Sequence, residues 1–272
     1  MSETPEEKPH LSHTQLSMLE KCGQMYFFRY VEGIKSPQSV PLVVGKATHK
    51  SIEGNLATFM RTQHYLSMEE IRSITRDAVT AAWHTGVQLN DDEAKLGIKA
   101  VKDRAIDQSL ALAELHATRI APNLRPTHIE RKFLIELSGY PYDLLGYIDV
   151  QEGNETVRDT KTTKRAPVGD AAANSMQLTL YGLAIKVMDG EYPQKFVLDH
   201  LVKTKDPKVV VQEADRRLED YEMLLRRIHR AIEVIDKGAF TPTNPDNWWC
   251  SKSYCSYWND CQFARRPVSV AV

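Results

Sequence analysis

The sequence predicts a mixed fold of the α+β or α/β class, with an N-terminal helical part followed by strands and further helices. In residues 12–121, apolar side chains recur every three or four positions, which is the period of an amphipathic helix. After Pro126, apolar and polar residues alternate, which is the period of a strand. The chain has 272 residues and is 42% hydrophobic, so it can bury the core of one large domain.

The helical part is predicted to contain four helices. The first begins at Ser12 and carries Cys22. Two prolines end it before a second helix over 45–60, which carries His49. Two longer helices cover 68–121 and turn their apolar residues toward a core.

The second half is predicted to contain three antiparallel strands, a helix, a hairpin and a long helix. Turns that contain Gly139 and Gly153 separate the first three strands. The predicted strands cover 132–137, 142–150, 156–161, 195–203 and 208–212. The predicted helices cover 174–187 and 218–232.

These elements divide the chain into five segments. We expect, in order, a disordered acidic tail, the helical part, a core that contains the sheet, a cysteine-rich segment and an unstructured C-terminal tail. The segments cover 1–11, 12–125, 126–240, 241–266 and 267–272.

Charge and hydropathy exclude a globally cationic protein and an integral membrane protein. The chain has 35 Lys and Arg against 36 Asp and Glu, so any nucleic-acid site must be a local basic groove. Mean hydropathy is −0.42, and no apolar run approaches the roughly 18 residues of a membrane helix. The first ten residues lack the features of a signal peptide. We therefore expect a cytoplasmic protein.

Two aspartates and a lysine on adjacent predicted strands could form a metal-dependent site. Asp159 and Lys161 are one residue apart, so both side chains leave the same face of the sheet. Asp149, on the preceding strand, would lie beside them if the two strands pair. Two carboxylates suit Mg²⁺ or Mn²⁺, and the lysine could help to position or deprotonate a water for phosphodiester hydrolysis. Taken alone, the pattern also fits charged residues on an exposed sheet face.

Three further residues have a structural and a functional interpretation. Gln177 and Tyr181 share one face of a predicted helix, as they would in an ordinary amphipathic helix with an interfacial tyrosine. His49 fits a packing residue, but an imidazole beside two carboxylates would favour Mn²⁺ over Mg²⁺. The function of all three depends on whether the fold brings them to the aspartates.

Cysteines and basic residues are grouped along the chain. Cys22 is near the start, whereas the other three cysteines lie within twelve residues near the C-terminus, which favours a metal or cluster cage over disulfides in a reducing compartment. Basic residues beside the strands could line a groove that tracks phosphates. The three C-terminal cysteines are Cys250, Cys255 and Cys261. The basic residues are Lys164, Arg165, Lys203 and Lys205.

The order of these motifs resembles that of the PD-(D/E)XK nuclease superfamily, in its RecB-like branch with an iron–sulfur cluster. This branch includes the CRISPR-associated exonucleases. The resemblance implies a restriction-endonuclease-like mixed sheet flanked by helices, with 126–240 as the nuclease core and a C-terminal iron–sulfur segment. The matching motifs are Cys22, Gly45-x3-His49-x3-Glu53, Gly146-x-Ile148-Asp149, Asp159-x-Lys161, Gln177-x3-Tyr181 and Cys250-x4-Cys255-x5-Cys261.

The resemblance also implies roles for the candidate active-site residues. His49, Asp149 and Asp159 would hold Mg²⁺ or Mn²⁺, and Lys161 would be the catalytic lysine. Glu130 sits where many relatives carry an acidic residue. Gln177 and Tyr181 match the motif that lies beside the active site and the DNA strand.

For the cysteines, the resemblance implies a structural [4Fe–4S] cluster with four thiolate ligands. Relatives often place two residues between the first two C-terminal cysteines, whereas four intervene between Cys250 and Cys255. Zn²⁺ therefore stays open as the alternative, because four cysteines also suit that ion.

The implied function is a metal-dependent DNA exonuclease that acts on single-stranded DNA or DNA ends. The four basic residues named above would contact the DNA, and recombination or CRISPR adaptation proteins are the expected partners. The alternative is a non-catalytic DNA-binding or assembly subunit that keeps the nuclease fold.

Overall fold

The computed structural model of the protein describes residues 8–265, in which two short strands form a small sheet and the others a six-stranded mixed sheet. The strands are β1 (His10–Leu11), β2 (Gln38–Ser39), β3 (Val87–Gln88), β4 (His128–Ile135), β5 (Asp143–Glu152), β6 (Thr156–Thr163), β7 (Lys195–Val202) and β8 (Lys208–Ala214). The α-helices are α1 (His13–Lys21), α2 (Gly23–Tyr26), α3 (Val40–Thr62), α4 (Met68–His84), α5 (Asp91–Leu96), α6 (Ile98–Arg119), α7 (Met176–Asp189) and α8 (Leu218–Asp236). A π-helical turn (Phe27–Val31) follows α2, and a 3₁₀ turn (Ala121–Asn123) follows α6.

The sheet confirms the predicted mixed sheet flanked by helices. Strands β4, β5 and β6 are antiparallel, as their short turns require, and β7 and β8 form an antiparallel hairpin. Strand β7 pairs in parallel with β6, and α7 provides the crossover between them. Strand β1 pairs in parallel with the start of β5, while β2 and β3 form the small sheet.

The pairing of β5 with β6 ends early and leaves a fork in the sheet. The ladder runs from the turn only as far as the pair Val150 and Arg158. The next residues toward the open end, Asp149 and Asp159, are therefore not paired with each other. Asp149 Oδ2 accepts a hydrogen bond from the Thr160 N–H at 3.2 Å, which satisfies a donor that the ladder would otherwise have used.

Two hydrophobic cores cover the two faces of the sheet. Helices α1, α7 and α8 pack on one face through residues such as Leu16, Leu180 and Ile228. Helices α3, α4 and α6 pack on the other face through residues such as Leu56 and Leu112. The predicted helical part is thus divided, because α1 packs with the helices of the second half.

Several predicted boundaries were wrong. The disordered tail predicted over 1–11 is wrong for its last two residues, because His10–Leu11 form β1 and Leu11 is buried, while residues 1–7 lie outside the described residues. Helix α3 begins at Val40 rather than at residue 45, since Pro41 lies in the first turn, where its missing N–H has no cost. The predicted tail over 267–272 lies outside the described residues.

Two helical predictions were also wrong. The region predicted as two helices over 68–121 contains three, since Gly97, with a φ of 85°, separates α5 from α6. Cys22 is not inside a helix. It lies between α1 and α2 in an extended conformation, with a φ of −166°.

Candidate active site

A group of metal-ligating side chains lies at the fork between β5 and β6. His49 from α3, Glu130 from β4 and Asp149 from β5 each offer one ligand atom, and these atoms lie within 4.8 Å of one another. His49 Nδ1 is 3.5 Å from Asp149 Oδ2. An imidazole and two carboxylates are a donor set that suits Mn²⁺ or Mg²⁺, so this group could hold a divalent ion.

Glu130 reaches this group through the register of the sheet and an unusual backbone conformation. Its neighbours Ile129 and Arg131 pair with Val150 and Ile148, so Glu130 lies opposite Asp149. Its φ is 44°, in the left-handed region that non-glycine residues rarely adopt. Burial and the charge of Asp149 raise the pKa of Glu130 to about 7, although part of its side chain is exposed. Such a carboxylate is stabilised in its ionised form by a cation.

Asp159 and Lys161 form an ion pair on the same face of β6. Lys161 Nζ donates a hydrogen bond to Asp159 Oδ1 at 3.0 Å and lies 2.8 Å from Oδ2. Asp159 is only 1% exposed. Burial and then the charge of Asp149 raise the pKa of Asp159 to about 7, against the opposing charge of Lys161. The two aspartates therefore repel each other in the absence of a cation.

Gln177 and Tyr181 connect the lysine to the metal-ligating group. Lys161 Nζ donates to Gln177 Oε1 at 2.6 Å, and Gln177 Nε2 donates to the Tyr181 hydroxyl oxygen at 2.6 Å. The Tyr181 hydroxyl donates in turn to Asp149 Oδ1 at 3.3 Å. Burial and the nearby aspartates raise the pKa of Tyr181 well above its usual value, so the phenol stays protonated and acts as a donor.

The structure thus brings most of the predicted site residues together, but the composition of the metal group differs. His49 and Asp149 belong to the group within 4.8 Å, while Asp159 does not and Glu130 does. The motif pattern had not placed Glu130 among the metal ligands. Counting back from the turn at Gly139 along both strands would have placed Glu130 opposite Asp149, and this register was the available signal.

The four predicted basic residues lie at the ends of β6 and β7. The Lys203 N–H donates to Thr163 O at 2.8 Å, which joins the two strand ends. Burial and the charge of Lys164 lower the pKa of Lys203. Arg165 and Lys205 are exposed.

The four cysteines line one cavity. None of them forms a disulfide. Burial and the other cysteines raise the pKa of the Cys250 and Cys255 thiols. Much of the remaining lining is aromatic, with Phe28, Trp249, Tyr257, Trp258 and Phe263.

Contacts between the two ends of the chain bring Cys22 to this cavity. The Gly23 N–H donates to Thr241 O at 2.9 Å, and the Thr243 N–H donates to Cys22 Sγ at 3.4 Å. A Cβ atom on Gly23 would lie 2.7 Å from the backbone of Phe240 and Thr241, so only glycine permits this approach.

A solved structure shares the fold of this chain. Over 99% of its length the chain resembles a suggested exonuclease of Eubacterium rectale, with a TM-score of 0.57, 13% identity and 97% of that chain covered, which shows a shared fold. The structure of SSO0001 gives a TM-score of 0.40 at 14% identity, with 92% of this chain and 96% of that chain covered. None of the curated proteins matches.

The part of the chain from residue 8 to 265 contains no helix long and apolar enough to cross a membrane. Residues 10–262 match the sequence model of a nuclease family, and this match covers nearly the whole chain. The chain therefore belongs to the PD-(D/E)XK nuclease superfamily.

Proposed function

We propose that the protein is a metal-dependent DNA exonuclease that hydrolyses phosphodiester bonds in single-stranded DNA or at DNA ends. The observation that carries this proposal is the fork in the sheet, where a His–Glu–Asp group lies next to the Asp159–Lys161 pair. The fold shared with a suggested exonuclease supports the exonuclease over the endonuclease.

The residues at the fork have distinct roles in this proposal. His49, Glu130 and Asp149 would hold Mn²⁺ or Mg²⁺, and Asp159 would complete the ligand set from the second strand. A bound divalent cation neutralises charge on the phosphate and lowers the pKa of a water. Lys161 holds its ammonium group between Asp159 and Gln177, where it can orient the attacking water or the phosphate.

The remaining two residues fix the geometry of this network. Tyr181 donates to Asp149 Oδ1 and so fixes the orientation of the carboxylate. Gln177 holds Lys161 through Oε1 and Tyr181 through Nε2, which sets the orientation of its own amide. Together they hold the lysine, before the substrate binds, in the position that the scissile phosphate would contact.

We also propose that the cysteine cavity holds a structural [4Fe–4S] cluster. A tetrahedral zinc site with Zn–S bonds of about 2.3 Å requires sulfur atoms roughly 3.8 Å apart. Among residues 8–265, no three of the cysteine sulfurs lie within 4.8 Å of one another, as three ligands of one zinc ion would. A four-iron cluster binds each thiolate at a different iron and accepts a wider spacing.

A cellular location, protein partners and DNA contacts follow from these proposals. Thiols that serve as cluster ligands need a reducing compartment, which supports a cytoplasmic location. Recombination or CRISPR adaptation proteins remain the proposed partners. The proposed DNA contacts are Lys164, Arg165, Lys203 and Lys205.

An assay with Mn²⁺ and end-labelled single-stranded DNA tests the catalytic proposal. Lys161→Met should lower the cleavage rate by roughly 10²- to 10⁴-fold. The rate is normalised to folded protein, because the variant also leaves the buried Asp159 without its ion-pair partner. Lys195→Met, at the far end of β7 where the lysine pairs with Glu213, is the matched control and should keep full activity.

The same assay separates the enzyme from its alternative. A non-catalytic DNA-binding or assembly subunit would bind the labelled strand but show no cleavage in either form. Full activity in Lys161→Met would contradict the assigned role of the lysine. Products released one nucleotide at a time identify an exonuclease, and internal cuts in a circular single strand would identify an endonuclease.

A further inference from the structure

We propose that a cavity beside the active site binds the phosphates of a single DNA strand and stacks one of its bases on Tyr254. This lysine cavity lies between α5, α6 and the ends of β6 and β7, and it is defined by Arg104, Gln108, Lys164, Lys203 and Tyr254. The inference rests on the proposed nuclease function and specifies the form of its substrate.

The lysine cavity carries a net positive charge, with three cations against two carboxylates in its lining. Within residues 8–265, no carboxylate lies within ion-pair distance of Arg104, Lys164 or Lys203. Lys164 and Lys203 are close enough that the charge of one lowers the pKa of the other, and Lys203 is also half-buried. Two like charges held together without an ion-pair partner favour the binding of an anion such as a phosphate.

Two carboxylates also line the lysine cavity, but both are engaged with their own helix. Asp92 accepts a hydrogen bond from Lys95 at 3.0 Å. Glu93 Oε2 accepts the Asn90 N–H at 2.9 Å as part of the capping box at the start of α5. The three cations therefore stay available to a ligand.

The position of the cavity fits a strand that leaves or enters the active site. Lys164 follows Lys161 by three residues, which is about 10 Å along an extended chain. Lys203 is held next to this segment by its N–H bond to Thr163. A strand whose scissile phosphate lies at the fork could therefore place a phosphate farther along its backbone between the two lysines.

Tyr254 supplies the second component of a single-strand site. Its side chain is 62% exposed, and it meets Trp248, which is 65% exposed, edge-on at 4.8 Å. Neither ring lines the cysteine cavity, so neither is used to cover the cluster site. Tyr254 instead lines both the lysine cavity and an adjoining cavity that contains Lys252 and Trp258.

The dimensions favour one strand over two. The lysine cavity has a volume of about 460 Å³ and the adjoining cavity about 360 Å³, which are the sizes of small-molecule pockets. Basic residues that follow a backbone, together with an exposed aromatic ring, are typical of sites for unpaired nucleic acid. A base that stacks on Tyr254 must be unpaired.

Fluorescence anisotropy with a labelled single strand, measured without divalent metal, tests the inference. The double variant Lys164→Gln/Lys203→Gln should weaken binding at least tenfold. It should also reduce the slope of log K against log salt by about 1.4, because each lost phosphate contact removes roughly 0.7 for a single strand. Lys132→Gln/Lys195→Gln removes the same charge from exposed strand positions and should change neither quantity.

Two further variants separate the components of the site. Tyr254→Ala should weaken single-strand binding roughly 5- to 150-fold with an unchanged salt slope. Lys164→Arg/Lys203→Arg should keep the wild-type slope, which shows that a loss in the glutamine variant does not come from misfolding. Binding of a blunt duplex of the same length should be unaffected by Tyr254→Ala.

Equal losses in the glutamine variant and its control, or an equal loss of duplex binding in Tyr254→Ala, would overturn the inference. These measurements do not involve cleavage. If the wild-type protein fails to cut DNA in Mn²⁺, the proposed nuclease function fails, while the binding data still show whether the lysine cavity takes a single strand.

Discussion

Glu130 has a backbone conformation that strand residues rarely adopt, with a φ of 44°. A residue held in the left-handed region costs about 1–3 kcal/mol unless it is glycine. The same conformation places the carboxylate in the group with His49 and Asp149. The strain therefore falls on a residue of the candidate metal-binding group.

Glu130→Gly should relieve the strain and remove a metal ligand. We expect the free energy of unfolding to stay the same or rise by about 1 kcal/mol, because glycine adopts positive φ without steric cost. Mn²⁺ affinity, measured by calorimetry, should fall about tenfold or more. Lys132→Gly, at an exposed position two residues along β4, should instead cost about 0.5–1 kcal/mol and leave the affinity unchanged.

Asp159 should make the stability of the metal-free protein depend on pH. Its pKa is raised by burial to about 7, above the 3.8 of an exposed carboxyl, so the folded protein binds this proton more tightly. Its contribution is present below pH 4 and is lost as the pH rises to 7, at most about 1.4 kcal/mol per pH unit. Urea unfolding should therefore show Asp159→Asn gaining stability relative to the wild type over this range.

Saturating Mn²⁺ should remove most of this pH dependence, because the metal favours the ionised carboxylate. A difference between wild type and Asp159→Asn that stays constant from pH 4 to 7 would contradict the raised pKa.

The sequence could identify residues whose geometry is local. Asp159 and Lys161 are separated by one residue, and a strand alone places them on one face. Gln177 and Tyr181 are likewise neighbours on one helix face. The role of Glu130 as a metal ligand could not be predicted in this way, because its approach to Asp149 depends on the β4–β5 register and on an unusual φ.

At the scale of elements, the break between α1 and α2 positions Cys22. The helix stops there because Gly23 contacts the segment around Thr241, at a distance that excludes a side chain. Gln24 Nε2 donates to Phe240 O at 2.7 Å and strengthens the same contact. The break between α1 and α2 therefore helps to bring Cys22 into the cysteine cavity.

Gly23→Ala should disturb this contact and lower the occupancy of the cysteine site. Its Cβ would lie 2.7 Å from backbone atoms, which cannot move away as a side-chain end can. We expect iron and sulfide per chain to fall well below four in the anaerobically purified variant, together with its brown colour. Gly54→Ala is the control, because its Cβ would meet only the side-chain ends of Ile74 at 3.3 Å and Leu66 at 3.8 Å, and alanine favours the helix. Full iron in Gly23→Ala would show that the contact does not control the site.

The sequence predicted the longer elements and missed the short ones. Strands such as β6 and β7 have a clear period of two or a long apolar run, and α8 has a clear helical stripe. Strand β1 has only two residues, which is too short for any period. The fork could not be predicted, because it depends on where pairing stops rather than on which residues form strands.

At the scale of the whole molecule, the cysteine cavity joins segments that are far apart in the sequence. Cys22 and Cys250 are separated by 250 − 22 = 228 residues. On a chain-entropy model, a cross-link over such a loop stabilises a protein by about 5 kcal/mol. A cluster held there would therefore stabilise the complete fold.

Cys22→Ser should reduce stability more than the rate of cleavage per folded molecule. We expect a loss of up to about 5 kcal/mol in the free energy of unfolding, because one attachment of the cross-link is removed. The fork lies outside the cavity that the cysteines line, so its chemistry should persist. Thermal unfolding and the Mn²⁺-dependent cleavage rate, normalised to folded protein, check both expectations. A variant with normal stability and no cleavage would instead place the cysteines in the reaction.

The order of the motifs along the chain was sufficient to indicate the nuclease superfamily, because that order reflects one topology. The division of the helical part between two faces of the sheet was not predictable, since α1 is amphipathic in the same way as α3 and nothing in its sequence specifies its partner.

The contact between Cys22–Gly23 and residues 241–243 has a consequence for biosynthesis. A ribosome that adds 5–20 residues per second completes Cys250 roughly 10 to 50 s after Cys22. During this interval one thiol is exposed while its three companions do not yet exist. For the proposed cluster, iron delivery must therefore follow the synthesis of Cys261, and a cell short of iron would accumulate full-length chains that lack this cross-link.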